Sequence, residues 1–351
     1  MILEKRLAIR SIPFLLIGLS IFICYLYFFV GIPEMIAIIQ SVNLFFYSLA
    51  VVALLLAMLF YSLTWHYFLR PLSVNVPFRK TFLFIWVGIF VDLLIPAESI
   101  SGDASKVYLM SKDSGENAGN VVASIVSHRI LSTTINLSSL IIGSLAILIL
   151  KYELPNLILN LILLVAVGNA ISIGFLFLVC LRKEIAQKII DSLLNFLKFI
   201  LRGRLQLTTV RFKVRKALKA FHQALEVLGR NPKSLAQPVV FSLTSWFFGA
   251  FVSFLVFVSL GHPIHFSVVI IVYSISCAIR SIPLGIPAEV GVMEVLMTTL
   301  YSLFGVPTVI SAAATVLIRV LTVWLRLFIG FMAVQLVGIK ALMGNSHQGS
   351  S

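Results

Sequence analysis

Long apolar runs separated by short polar connections frame this chain. A hydrocarbon layer of about 30 Å is crossed by roughly 20 apolar residues in helical form. The pattern predicts full spans near 12–30, 43–69, 121–150, 157–181, 237–260 and 309–338. Two further apolar stretches, 81–113 and 268–304, are broken by proline, glycine and charged residues. Segment 182–236 has a different rhythm. Ile185, Ile189, Leu193, Leu197 and Ile200 fall on one helical face, and Val214, Leu218, Phe221, Leu225 and Leu228 on another. This predicts a pair of amphipathic helices lying on the membrane surface, ended by Asn231 and Pro232. The plainer alternative is a basic loop that only sets orientation.

Composition turns these runs into a class. Of 351 residues, 60% are hydrophobic and 11% charged, and the mean hydropathy is +1.07, more apolar side chain than a soluble core can enclose. The expected fold is an all-α polytopic membrane protein, a single integral membrane domain over 1–351. The first run follows Lys5, Arg6 and Arg10 but continues through Phe28, Phe29 and Val30 without a small-residue cleavage site, which favours a retained helix over a signal peptide. Cys24, Cys180 and Cys277 stand singly in apolar surroundings, so neither a disulfide framework nor a metal site is expected. No cofactor is expected.

Most of the 27 basic residues lie in 1–11, 70–80, 111–120, 182–236 and 339–351, whereas Lys151 is the only one in the opposite connections. Short basic loops resist translocation, so both termini are expected in the cytoplasm, with the plasma membrane as the location. The net charge of +14 is concentrated largely in 182–236, where anionic lipid headgroups, rather than nucleic acid, are the expected partner.

The tetrapeptide Ile-Pro-Ala-Glu occurs at Ile95–Glu98 and again at Ile286–Glu289, each time inside an interrupted stretch. Each copy is preceded by a full span and followed by a long span carrying an arginine, Arg129 or Arg319. With the basic segments inside, 81–113 enters and leaves from the cytoplasm and 268–304 from the exterior. The expectation is therefore about six full spans plus two re-entrant broken hairpins, arranged as two inverted repeats over about 43–150 and 237–338. Such units place a site where they meet, because non-helical backbone at membrane depth persists only in protein or beside a polar cavity. The alternative is that Pro96 and Pro287 only kink two long helices.

Charge inside the hydrocarbon is costly and therefore marks function by default. The candidate substrate-binding residues are Arg129, Arg319, Glu98, Glu289, Asp103 and Glu294, with Asp92, Lys106 and Arg280 as secondary candidates. Arg129 and Arg319 are expected to face each other and grip a phosphate, since the planar guanidinium holds two oxygens at once. The competing reading pairs Arg129 with Glu98 and Arg319 with Glu289 as structural ion pairs. The short helices after the breaks are expected to begin near Ser101, as an N-cap, and near Ala288. His128 reads as a hydrogen-bonded structural residue, Lys106 as a neutraliser of Asp103, and Arg326 as a side chain reaching for the inner interface.

The stretch Pro287-Ala-Glu-Val-Gly291-Val-Met-Glu294, followed by Gly305-Val-Pro307 and Arg319, resembles the transmembrane domain of lysylphosphatidylglycerol synthases and its stand-alone relatives. Pro96 followed by Gly102-Asp103-Ala104 resembles that family's other signature. The resemblance covers nearly the whole chain and implies a flippase-like role in lipid handling. It departs at one point. Where the family usually has Pro-Gly-Gly, this chain has Pro287-Ala288-Glu289, which leaves the lipid unassigned. The chain stops soon after the last span, so the soluble synthase domain and its activity are expected to be absent.

Three functions remain open on the residues. The first is translocation of a polar-headed phospholipid or polyprenyl-linked lipid between leaflets; no nucleotide-binding Gly-x-x-x-x-Gly-Lys-Ser/Thr loop is present to power it. The second is an intramembrane lipid-modifying transferase with Asp92, Glu98 or Glu289 as base. The third is a non-catalytic membrane partner that docks a separate synthase or glycosyltransferase on 182–236. Self-association as a homo-oligomer is a further open expectation.

Overall fold

A computed structural model describes residues 27, 32–95, 100–149, 156–200, 207–230, 232–281 and 285–346. The expected span at 12–30, Cys24, Pro96 and Glu98 lie outside the described residues. Within them the chain is helical: α1 (Ile32–Gln40), α2 (Leu44–Leu69), α3 (Phe78–Leu94), α4 (Ile100–Ser114), α5 (Ala118–Ile149), α6 (Asn156–Leu181), α7 (Lys183–Ile200), α8 (Leu207–Arg230), α9 (Ala236–Ser259), α10 (Phe266–Ile279), α11 (Val292–Leu303), α12 (Thr308–Arg319) and α13 (Arg326–Ser346). A π-helical run, Val320–Leu325, joins α12 to α13 without a break. Five of these stretches are long and apolar enough to cross a membrane: Leu44–Leu72, Ala118–Ile149, Asn156–Leu181, Ala236–Ser259 and Thr308–Gly338. This is an all-α polytopic membrane protein.

The broken stretches fold back on themselves instead of continuing as kinked helices. At 1.5 Å per residue, α10 and α11 reach only about 20 Å, short of a hydrocarbon layer. α3 turns at Ile95 and returns as α4, and the two pack against each other. Their approach depends on Gly102, where a Cβ would come within 2.4 Å of the Gly88 carbonyl oxygen and 2.2 Å of the Asp92 carboxylate. The second break is lined by protein as well. Ala288, Val290 and Val323 are buried together with Leu93 packed against them, so the end of α3 covers the turn that follows α10.

The copies of the tetrapeptide are 191 residues apart, and a shift of that size lays α2 on α9, α3 on α10, α4 on α11, and α5 on α12–α13. Packing between the two sets is reciprocal. α2 and α9 lie along each other, α3 packs on α13, and α10 packs on α5. The direction of α2 and α9 follows from their contacts: Asn43 N–H donates to the Ser259 carbonyl at 2.7 Å, Ser245 Oγ–H donates to the Ala57 carbonyl at 2.9 Å, and the rings of Tyr67 and Phe241 are 5.1 Å apart. The register runs backward in one helix as it runs forward in the other. The opening helices of the two sets are antiparallel, so the sets are inverted with respect to each other.

α6 belongs to neither set and stands at the periphery, with Leu163, Leu164, Ile171 and Phe175 exposed. The helices α7 and α8 form where periodicity places them, although α8 begins at Leu207, earlier than the apolar pattern suggests. α8 differs from a surface-lying helix. Phe221, Ala224 and Leu228 are buried in the same core as Trp65, Phe68 and Val121. The backbone of α5 comes so close that a Cβ at Gly119 would meet the Ala217 carbonyl at 2.2 Å. The apolar face of α8 is covered by protein because α5 presents a glycine opposite it.

Candidate membrane-embedded site

Between the two sets lies a cavity of about 300 Å³. The first set contributes Tyr61, Asp92, Asp103, Lys106, His128 and Arg129, and the second contributes Ser242, Trp246, Tyr273 and Arg280. Asn169, near the midpoint of α6, and Asn136, on the inner part of α5, close its wall. Polar side chains this far from the ends of spanning helices place the cavity at membrane depth.

Each acidic group here is already engaged. Asp92 Oδ1 accepts from the Gly102 N–H at 2.6 Å and from Ser101 Oγ–H at 2.9 Å. Thus, where the described part of α4 opens at Ile100, a carboxylate from α3 rather than the Ser101 side chain accepts from its first turn. Negative charge suits this place because the first N–H groups of a helix lack partners and carry its positive dipole end. Asp103 lies one turn into α4 and binds Lys106 Nζ at 2.6 Å. The Lys106 ammonium is also 5.7 Å from the ring centre of Trp65, whose Nε1–H donates to Ser124 Oγ at 2.9 Å. His128 is buried against Tyr61, with ring centres 4.4 Å apart.

Arg129 and Arg319 do not form a symmetric pair of arms on one ligand. Arg129 lines the cavity, 3.7 Å from Asp103, with its side chain 42% exposed. Arg319 lies outside the cavity lining, and its side chain is 5% exposed. Its Nε donates to Glu294 Oε1 at 2.6 Å and its Nη2 to the Ala288 carbonyl, while Glu294 Oε2 accepts from the Gly291 N–H at 2.6 Å. The partner of Arg319 is therefore Glu294, not Glu289, because Gly291 caps α11 and Glu294 projects back over its first turn. Likewise Arg129 meets Asp103, while Glu98 lies outside the described residues. α11 begins at Val292, after a single 3-10 turn at Pro287–Glu289, rather than near Ala288. Glu289 itself is half-buried and does not line the cavity.

The two arginine–carboxylate pairs are equivalent under the repeat. Asp103 stands seven residues after Pro96, and Glu294 seven after Pro287. That spacing is a signal in the sequence, beside the identical tetrapeptides, whose own acidic residues are Glu98 and Glu289. Tyr61, Asn136, Asn169, Trp246 and Tyr273 had no such signal. A single polar residue in an apolar span reveals its neighbours only when the helices are assembled.

Comparison with known proteins finds membrane proteins of similar length. A UPF0104 membrane protein of Pyrococcus horikoshii is 25% identical over 340 residues, 95% of this chain and 98% of that one. Another from Methanothermobacter thermautotrophicus is 24% identical over 290 residues, 83% and 85% of the two chains. A third from Methanocaldococcus jannaschii is 22% identical over 335 residues, 95% and 96% of the two. The family model described as the lysylphosphatidylglycerol synthase TM region matches residues 15–330. The chain belongs to that family.

Proposed function

We propose that this protein moves a polar-headed lipid between the leaflets of the plasma membrane, with both termini in the cytoplasm. The observation that carries this reading is the cavity between the two inverted helix sets, which is polar and lies at membrane depth. Lys106, Arg129 and Arg280 line it against Asp92 and Asp103. The exposed side chain of Arg129 favours an anionic group, and its fork suits a phosphate, whose two oxygens it can hold together. Two units of opposite orientation around one central site suit alternating access from the two leaflets. A second copy of the chain, and a synthase or glycosyltransferase docked on 182–236, fit as partners.

Reconstitution into liposomes with headgroup-labelled phospholipids tests the reading. Label in the inner leaflet is expected to reach an impermeant quencher faster than in protein-free liposomes, and Arg129→Gln is expected to lose that acceleration. Rates equal to those of empty liposomes across anionic, zwitterionic and polyprenyl-phosphate lipids would refute translocation.

A further inference from the structure

A second recess, of about 790 Å³, opens between α4 and α5. Its walls are mostly apolar: Ile100, Ala104, Val107, Tyr108, Ala118 and Val122. It adjoins the polar cavity, since Asp103 and Ile125 line both. We propose that this groove seats an acyl chain of the lipid whose headgroup occupies the cavity, so that the lipid enters sideways between α4 and α5. The proposal rests on the translocase reading and adds the lipid's path and the position of its tail.

The inverted repeat supplies a second observation. The equivalent helices α11 and α12 are packed shut: Met293, Glu294, Met297, Thr298, Leu300 and Tyr301 of α11 are all buried. On α4 only Gly102, Lys106 and Met110 are buried, while Ile100 and Tyr108 are exposed. The pairs at the inner ends of these helices follow the same asymmetry, with Arg319 and Glu294 closed off and Arg129 and Asp103 accessible. One unit is therefore open beside the cavity where its counterpart is closed.

The chemistry of the opening selects its occupant. Hydrocarbon belongs along Ala104, Val107, Ala118 and Val122, because apolar surface facing water is unfavourable. At the inner end, Asp103 is held by Lys106 at 2.6 Å, and the exposed guanidinium of Arg129, 3.7 Å from it, is left able to take an anionic headgroup. A protein helix would satisfy the walls alone. An amphiphile with an anionic head and an acyl tail satisfies both ends in one molecule.

The full chain in vesicles of phosphatidylcholine and phosphatidylglycerol, doped with phosphatidylglycerol bearing a mid-chain diazirine, tests this by irradiation and peptide mapping. Adducts are expected at Ala104, Val107, Ala118 and Val122, and also on the peripheral face of α6 at Leu163 and Leu164. Val122→Trp, which fills the groove, is expected to lose the first group and keep the second. Ala104→Trp serves in its place should Val122→Trp melt earlier than the parent. Arg129→Gln is expected to deplete the groove adducts alone, because a tail held by its headgroup depends on the headgroup's anchor. Groove positions left unlabelled while α6 is labelled would mean that protein covers the groove, and would overturn the proposal. Groove labelling indifferent to Arg129→Gln would reduce it to surface lipid and do the same. Translocation that persists in Val122→Trp would sink the groove and leave the translocase standing. Arg129-dependent adducts in a protein that moves no lipid would support the groove and sink the translocase.

Discussion

At the residue scale, two arginines that look alike in the sequence have been given different tasks by their surroundings. Arg319 and Glu294 are buried together, with the remaining oxygen of Glu294 on the Gly291 N–H and Nη2 of Arg319 donating to the Ala288 carbonyl. Removing one member strands the other charge, which typically costs about 3–5 kcal/mol. Arg319→Gln is therefore expected to lower the melting temperature in detergent markedly, and adding Glu294→Gln is expected to recover part of the loss. Arg129, half in the cavity and 3.7 Å from Asp103, resembles an exposed pair worth about 0–1 kcal/mol. Arg129→Gln is expected to melt close to the parent while losing transport. Equal destabilisation by the two substitutions would contradict this division.

At the scale of elements, the turn between α10 and α11 is strained, holding two of the three described non-glycine residues with positive φ. Ala288 and Glu289 both have positive φ, 51° and 46°. A side chain in the left-handed region costs about 1–2 kcal/mol. The turn holds because the Ala288 carbonyl is tied to Arg319 and the Ala288 side chain packs beside Val290, Val323 and Leu93. Ala288→Gly is expected to raise stability by about 1 kcal/mol, since glycine adopts this conformation without the clash. Thermal denaturation in detergent reads the change. A fall instead of a rise would mean that the lost methyl packing outweighs the relieved strain.

On the scale of the whole molecule, the antiparallel α2 and α9 and the exchange of α3 and α10 onto the opposite set make two inverted halves. Ser114 ends α4, and Pro307 is exposed just after α11, at near-equivalent places in those halves. Single cysteines there, in a background without the three native ones, are expected to react with an impermeant thiol reagent from opposite faces of the membrane. Labelling of both from one face would be incompatible with the inversion.

Much of this was legible in the sequence because lipid is an undemanding solvent to read against. An apolar run of sufficient length has to be a helix, since its backbone groups find no other partners in hydrocarbon. α2, α5, α6 and α9 accordingly lie within a few residues of their expected bounds. The repeated Ile-Pro-Ala-Glu exposed the two breaks, and the amphipathic rhythm of 183–230 exposed α7 and α8. Tertiary structure decided which charges meet. The choice of Glu294 for Arg319, the hold of Asp92 on the first described turn of α4 and the burial of the apolar face of α8 against Gly119 each depend on the distance between backbones from different parts of the chain. Local pattern carries no information about that distance. It also decided that equivalent helix pairs are open on one side and closed on the other, since a sequence repeat specifies what is equivalent but not which of two packings each copy adopts.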